Sequence, residues 1–284
     1  MPEDKSQLKS NLSINLDHEN YSFDTGMTAY ETLSGTDSDR YQYILPYYTF
    51  SKNLISNNLL SLNFNSDGNN NYQNTNNLKT VVNNNFDFKS TDFISDSGFK
   101  NNLGVYFKNV NTVAKNDDIY KSSPQLELMN LINIETSLPL IKQNERFSNL
   151  ITPKISLRYS PTDMKNYSDS DRFIDTNNIF SVNRLSISDS YEPGKSLTIG
   201  VDYKKESIEN ISKFFELNLA TVLRDEKQDN IPSQSTLGEK QSNLFGSSSY
   251  NLSKTLRLNY DFALDNDLQT FEYNSIGTTF DFDK

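Results

Sequence analysis

Residues 150–161 are Leu-Ile-Thr-Pro-Lys-Ile-Ser-Leu-Arg-Tyr-Ser-Pro, and residues 192–203 are Glu-Pro-Gly-Lys-Ser-Leu-Thr-Ile-Gly-Val-Asp-Tyr. Apolar side chains alternate with polar ones in both stretches: Ile151, Ile155, Leu157 and Tyr159, then Leu197, Ile199, Val201 and Tyr203. A period of two is typical of a β-strand with one apolar and one polar face. The polar insert between them, 162–194, is too long for a hairpin turn. Strand, long polar excursion and strand is the pattern of an external loop in an outer-membrane β-barrel.

The composition is polar for a chain that folds. Hydrophobic residues make up 35% of the 284 residues, the mean hydropathy is −0.68 and the formal net charge is −10. Soluble domains usually have about 45–50% apolar residues, so disorder is the first alternative. However, 12% of the residues are aromatic, and the apolar residues alternate along the chain. A barrel strand beside a polar lumen needs an apolar residue only at every second position.

The alternating pattern recurs along the chain and predicts about thirteen strands, with Pro46 at an edge, a bulge or a bend. The connections fall into two classes that alternate, as external loops and periplasmic turns do. The long class comprises 31–40, 67–77, 111–123, 161–194 and 225–241. The short class comprises 17–19, 53–58, 89–97, 138–149, 205–211 and 251–253. We therefore predict an all-β fold: part of a transmembrane antiparallel β-barrel, with about thirteen strands of a larger barrel. The alternative is a soluble β-solenoid or β-sandwich. A solenoid would need a fixed repeat, which is not found, and a sandwich rarely needs strands of about 10–13 residues.

The segment Asp175–Gly194 is predicted to be a folded loop at the mouth of the barrel. Counting it as a strand would break the alternation of long and short connections. It would also place several charges within one membrane span, where a lipid-facing Arg alone costs about 2–4 kcal/mol. We expect Arg184 to hold the loop by pairing with Glu192 or Asp189.

The densest motifs resemble those of a known family, the LptD family of lipopolysaccharide-assembly outer-membrane proteins. Leu150–Lys154 followed by Arg158–Pro161 is similar to the family's "L-x-P-x…Y-S-P" strand. The segment 175–184 resembles its "N-L-F…R" loop segment, and 189–194 resembles its "D-R-x-E-x-G", with Tyr191 as a departure. Gly200 with Tyr203 is similar to the "G-x-x-Y" strand that follows. The similarity extends over residues 40–270.

The resemblance implies a very large barrel in the cell outer membrane. Lipopolysaccharide would arrive from a periplasmic bridge protein (LptA-like) and leave through the lumen and a lateral opening into the outer leaflet. A plug lipoprotein (LptE-like) would lie inside the barrel, and outer-membrane lipid would surround it. We expect residues 1–284 to form one barrel segment, without the family's N-terminal periplasmic domain and C-terminal strands. The alternatives are a porin or nutrient-uptake barrel and, less favoured, a surface adhesin.

The sequence offers little for enzyme chemistry, so we expect no catalytic, cofactor-binding or metal-binding residues. His18 is the single histidine, and it lies at a predicted turn. Asp169, Asp171 and Asp175 lack the glycine and spacing of a calcium loop, which favours a solvated acidic loop. The acidic net charge also argues against a nucleic-acid partner.

Two sets of residues are the candidates for function. By strand parity, the residues predicted to face the lumen are Lys154, Ser156, Arg158, Ser196, Thr198, Asp202 and Lys204. The basic members of this set either steer phosphates or form ion pairs in the barrel wall. The residues predicted to anchor the loop are Asn178, Phe180, Arg184, Asp189, Glu192 and Gly194.

Overall fold

A computed structural model describes residues 6–34, 40–73 and 76–281, and it confirms the all-β prediction. Fifteen strands lie in these residues, together with a short 3-10 helix at Ser233–Ser235. The strands are β1 Gln7–His18, β2 Tyr21–Thr32, β3 Tyr41–Ser56, β4 Leu60–Gln73, β5 Asn77–Ser90, β6 Phe93–Ile94, β7 Lys100–Lys115, β8 Gln125–Ser137, β9 Leu140–Gln143, β10 Phe147–Ser160, β11 Gly194–Ser207, β12 Phe214–Arg224, β13 Leu244–Asn251, β14 Leu256–Leu264 and β15 Phe271–Phe280.

The chain forms two compact units. The first comprises Met1–Thr91 and Gly104–Asn130, and the second comprises Asp92–Leu103 and Leu131–Lys284. In the first unit, β1 to β5 pair in sequence order, and β5 pairs with β7. In the second unit, β8 pairs with β10, and β10 to β15 follow in order. Each of these pairings is antiparallel, as meandering barrel strands require.

The two faces of the sheet in the second unit differ as the alternation predicts. Ile155, Leu157 and Tyr159 of β10 are 44%, 51% and 43% exposed, whereas Ser156 and Arg158 between them are buried. An exposed apolar row opposite a buried polar row is the reverse of a water-soluble sheet. It is the arrangement that a lipid-facing strand needs.

Rows of aromatic side chains cross the strands near the short connections. In the first unit the row comprises Tyr21, Phe50, Phe64 and Phe86, with successive ring centroids 6.2, 6.1 and 4.8 Å apart. In the second unit it comprises Tyr203, Phe215 and Tyr250, with both separations 6.3 Å. Membrane barrels carry aromatic girdles at the level of the lipid headgroups, and each of these rows is what such a girdle requires of its own strands.

Residues 67–77 are almost entirely Asn, Gly, Asp and Gln, a composition that predicts a solvated loop for this long connection. That prediction is wrong, because β4 continues to Gln73 and β5 begins at Asn77. The amide-rich residues hydrogen-bond across the strands. Thr80 Oγ1 donates to Asn70 Oδ1 at 2.7 Å, and Asn83 Nδ2 donates to Asp67 Oδ2 at 2.9 Å. A composition that favours turns therefore forms a strand here, because neighbouring strands satisfy its polar side chains.

Other boundaries also differ from the prediction. The expected connections at 53–58 and 111–123 are shorter, since β3 extends to Ser56 and β7 to Lys115. Thirteen of the described strands are long, and the two short ones, β6 and β9, occupy the connections predicted at 89–97 and 138–149. Of the edge, bulge or bend predicted at Pro46, the structure shows a register shift between Ile44 and Tyr47.

Candidate functional site

The insert between β10 and β11, residues 161–193, contains no strand and packs on the sheet. Its apolar side chains enter a buried cluster with residues of β12, β13 and β14 and of the 225–243 connection. The members from the insert are Met164, Ile174, Ile179, Leu185 and Ile187, and those from elsewhere include Val222, Leu237, Phe245 and Ala263. Burial of this apolar surface holds the insert against β12 to β14, where the face that is polar in β10 and β11 carries apolar side chains.

Asp and Asn side chains build the turns of the insert. Asp175 Oδ1 accepts the backbone N–H groups of Asn177 and Asn178 at 2.8 and 3.0 Å, and Asn178 Oδ1 accepts that of Asp175 at 2.9 Å. Asn183 Oδ1 accepts the N–H of Ile187 at 3.0 Å. Short polar side chains that satisfy nearby backbone groups stabilise turns instead of strands. This local chemistry explains why the segment does not extend across the sheet.

Phe180 packs its ring on the sheet at Gly200. A Cβ atom at position 200 would lie 2.9 Å from the Phe180 ring and 2.9 Å from the Leu219 carbonyl oxygen, so only glycine fits without a shift. Lys154 Nζ lies 4.4 Å from the centroid of the same ring and 2.7 Å from Asp202 Oδ2. The close approach of the Phe180 ring to the backbone of β11 is a second point at which the insert is attached to the sheet, in addition to the apolar cluster.

A buried ionic cluster joins the insert to β10, β11 and β12; we call it the arginine–glutamate clasp, comprising Arg158, Arg184, Glu192 and Arg224. Arg184 Nε lies 3.1 Å from both carboxylate oxygens of Glu192, and Arg184 Nη2 also donates to that carboxylate. The same guanidinium donates from Nη1 to Thr198 Oγ1 at 3.0 Å and from Nη2 to Ser196 Oγ at 3.1 Å. Because a guanidinium group is planar and presents its N–H donors in fixed directions, these contacts fix both the distance and the orientation of Arg184 relative to Glu192 and β11.

The other two arginines of the clasp bind backbone carbonyls. Arg158 Nη1 and Nη2 donate to the carbonyl oxygens of Ser181 and Val182, both at 2.9 Å, and Arg224 Nη2 donates to that of Pro193. Arg158 and Arg224 also approach the carboxylate of Glu192 to 3.9 and 3.7 Å. Both ends of the segment 181–193 are therefore fixed to strands.

Glu192 is the single carboxylate facing three guanidinium groups in the clasp. Burial alone would raise the pKa of Glu192, but Arg184, Arg158 and Arg224 outweigh it and lower the pKa from its usual 4.5 to about 2. The carboxylate is therefore charged at any physiological pH. A buried pair of this kind is costly to break, because removing one partner leaves an uncompensated charge away from water.

The structure places Asp189 in a separate contact. Its Oδ1 accepts a hydrogen bond from Tyr167 Oη at 2.6 Å, and its Oδ2 lies 3.4 Å from Lys165 Nζ. Of the two partners considered for Arg184, the structure therefore shows Glu192. Gly194 begins β11 with a φ of +78°, a conformation that favours glycine at the junction of insert and strand.

The seven residues predicted to face the lumen all project from the polar face, but their surroundings differ. Ser156, Arg158, Ser196 and Thr198 are buried beneath the insert, whereas Lys154, Asp202 and Lys204 remain partly exposed. The sequence interpretation did not identify Arg224, or Asn133, whose Oδ1 accepts from Ser156 Oγ at 2.7 Å. The alternation of side chains along β12 and β8 places both residues on the same face as the predicted set, and this was the signal that could have identified them.

The described residues include no group of three or more His, Cys, Asp or Glu side chains arranged to hold a metal ion. This holds for the acidic cluster Asp169, Asp171 and Asp175. In the same described part of the chain, no helix has the length and apolar character to cross a membrane.

Comparisons with known proteins identify the family. A family model described as LptD, LPS transport system D, matches residues 3–284. Among solved structures, the siderophore receptor PirA from Pseudomonas aeruginosa is 9% identical with a TM-score of 0.39, covering 92% of this chain and 40% of that one. PirA from Acinetobacter baumannii is 10% identical, also with a TM-score of 0.39, covering 92% and 41%.

These structural similarities are too low to carry an argument, and the chain spans about 40% of the length of either receptor. No curated protein matches the chain. The family model, in contrast, covers nearly the whole sequence and agrees with the exposed apolar faces and the aromatic rows. The chain therefore belongs to the LptD family of outer-membrane β-barrel proteins.

Proposed function

We propose that this chain forms part of the barrel that transports lipopolysaccharide and inserts it into the outer leaflet of the outer membrane. Membership of the LptD family over residues 3–284 is the observation that carries the proposal. The partners that follow are lipopolysaccharide, a plug lipoprotein of the LptE kind, a periplasmic bridge protein of the LptA kind and the surrounding outer-membrane lipid. The role is transport and not catalysis.

In this proposal, the polar face of the sheet lines the lumen, and the insert covers part of it. The clasp fixes the insert and takes no direct part in binding substrate, because its four charged side chains are buried. Of the seven residues predicted to face the lumen, the basic ones left for contact with phosphates are Lys154 and Lys204. Each is partly exposed and pairs with carboxylates, Lys154 with Asp202 and Lys204 with Glu206 and Glu216. Ion pairs this exposed contribute little, so a passing phosphate exchanges with them readily.

Depletion of the protein in its host tests the proposal. Lipopolysaccharide should then accumulate in the periplasm and disappear from the cell surface, as measured with a surface-specific label. Normal surface lipopolysaccharide with lost uptake of a small solute would instead indicate a porin or nutrient-uptake barrel. Re-expression of the wild-type protein should restore surface lipopolysaccharide, which controls for secondary effects of depletion.

A further inference from the structure

A cleft of about 400 Å³ opens in the second unit, between the insert and the strands β13 to β15. The insert contributes residues 173–177 to one wall, and Asp261 of β14 and Tyr273 of β15 lie on the other. The clasp lies outside this cleft, and its four residues are absent from the lining. Among the described residues that line the cleft, none is basic.

The lining of the cleft combines aromatic rings with polar side chains. Phe173 is 63% exposed and Tyr273 is 55% exposed, so both present ring surface that the protein does not cover. The lining also includes the acidic residues Asp175, Asp261 and Glu272. Aromatic faces beside hydrogen-bonding side chains suit a ligand that is apolar on its C–H faces and polar at its edges.

Hydrogen bonds made by the lining residues themselves hold the walls of the cleft in place. Thr176 Oγ1 lies 2.9 Å from Ser247 Oγ and ties the insert to β13. Asn243 Nδ2 donates to Glu272 Oε2, and the backbone N–H of Asn243 donates to Thr236 Oγ1 at 3.1 Å. A cleft with fixed walls loses less entropy when it binds a ligand than a cleft that must order first.

The charge of the cleft limits its ligands. Three carboxylates without a basic residue repel phosphates and other anions. The described carboxylates also form no group arranged to hold a metal ion. The ligand groups that remain compatible with the cleft are neutral hydroxyls and protonated amines, since carboxylates accept hydrogen bonds from both.

We propose that this cleft binds a sugar ring that carries hydroxyl or amino groups and no phosphate. The rings of Phe173 and Tyr273 pack on its C–H faces, and the carboxylates accept hydrogen bonds from its edge. This inference rests on the proposed function, because a glycolipid that crosses the lumen would bring such sugars to the cleft. Among the sugars of that glycolipid, the cleft selects the uncharged or amino-substituted ones over the phosphorylated ones.

Ligand titration of the intact protein in detergent, followed by saturation-transfer NMR, tests the cleft directly. The probes are methyl α-glucoside, glucosamine and glucose 6-phosphate. The first two should bind saturably, and the phosphorylated sugar at least tenfold more weakly. Tyr273→Ala and Asp261→Asn should each weaken binding about tenfold, the equivalent of one lost stacking or charged hydrogen-bond contact. Phe93→Ala is the matched control, because Phe93 is 59% exposed in the same unit and lies outside the cleft.

Binding of glucose 6-phosphate as tightly as the neutral sugar would overturn the proposal. So would an absence of saturable binding, or equal affinity in Tyr273→Ala and Phe93→Ala when both proteins are folded. Surface lipopolysaccharide in cells that carry Tyr273→Ala separates this proposal from the transport function. Lost sugar binding with normal transport leaves the transport function intact and shows that transport does not use the cleft. Normal surface lipopolysaccharide after depletion refutes the transport function, whatever the cleft binds.

Discussion

Replacing Glu192 with glutamine tests whether the clasp holds the insert on the sheet. The substitution keeps the shape of the side chain but removes the one negative charge among three guanidinium groups. The pKa of about 2, against the usual 4.5, corresponds to about 3 kcal/mol in favour of the charged form. Breaking a buried ion pair typically costs about 3–5 kcal/mol. We therefore expect the insert to lose about 3 kcal/mol of docking stability.

Hydrogen exchange measures this loss at two amides of the insert. The N–H of Ile179 donates to the carbonyl of Asp175 at 3.0 Å, and the N–H of Ile187 donates to Asn183 Oδ1. Both side chains are buried, so these amides exchange only when the insert opens. A loss of about 3 kcal/mol should speed their exchange about 100-fold, since each 1.4 kcal/mol is a factor of ten. Exchange in the strands should change much less.

Glu216→Gln is the matched control. Glu216 Oε1 lies 3.5 Å from Lys204 Nζ, and both side chains are more than a third exposed. Exposed pairs contribute about 0–1 kcal/mol, so this variant should leave the exchange of Ile179 and Ile187 nearly unchanged. The reasoning about the clasp is refuted if Glu192→Gln and Glu216→Gln give the same exchange at these amides.

Acidification should leave the insert intact down to about pH 4.5 and loosen it as the pH falls toward 2. The reason is that the stabilising charge of Glu192 is lost as the pH approaches the pKa of this group in the folded protein. The rate of pepsin cleavage of the insert, compared with that of an unfolded substrate at each pH, measures this loosening. Gly200→Ala should displace the Phe180 ring and cost about 1–3 kcal/mol of docking, seen as faster amide exchange in the insert. Unchanged exchange would show that the ring adapts. Single cysteines at the exposed positions Ser181 and Ser186 should react with a membrane-impermeant thiol reagent on cells, and resistance of both would contradict a loop at the barrel mouth.

The Asn-rich segment shows where local sequence fails as a guide. Residues 67–73 have the composition of a loop, yet they form half of β4. Propensity describes the chain in water, where amide side chains compete with the backbone for hydrogen bonds. In the sheet, Asp67 and Asn70 instead bond to side chains of β5. No pattern within the segment itself indicates that partner.

The sequence by itself determined most of the strands, the alternation of their two faces and the loop character of the insert. Alternation is a local property, because successive side chains of a strand point to opposite faces. The pair Arg184 and Glu192 was likewise accessible, since the two residues lie close in sequence. Only the tertiary structure decided that Arg158 and Arg224 complete the clasp. The register pairs Arg158 with Ser196 and Ser196 with Arg224, which sets three strands at one level. Register depends on the whole length of the pairing strands and on their turns, so no short motif specifies it.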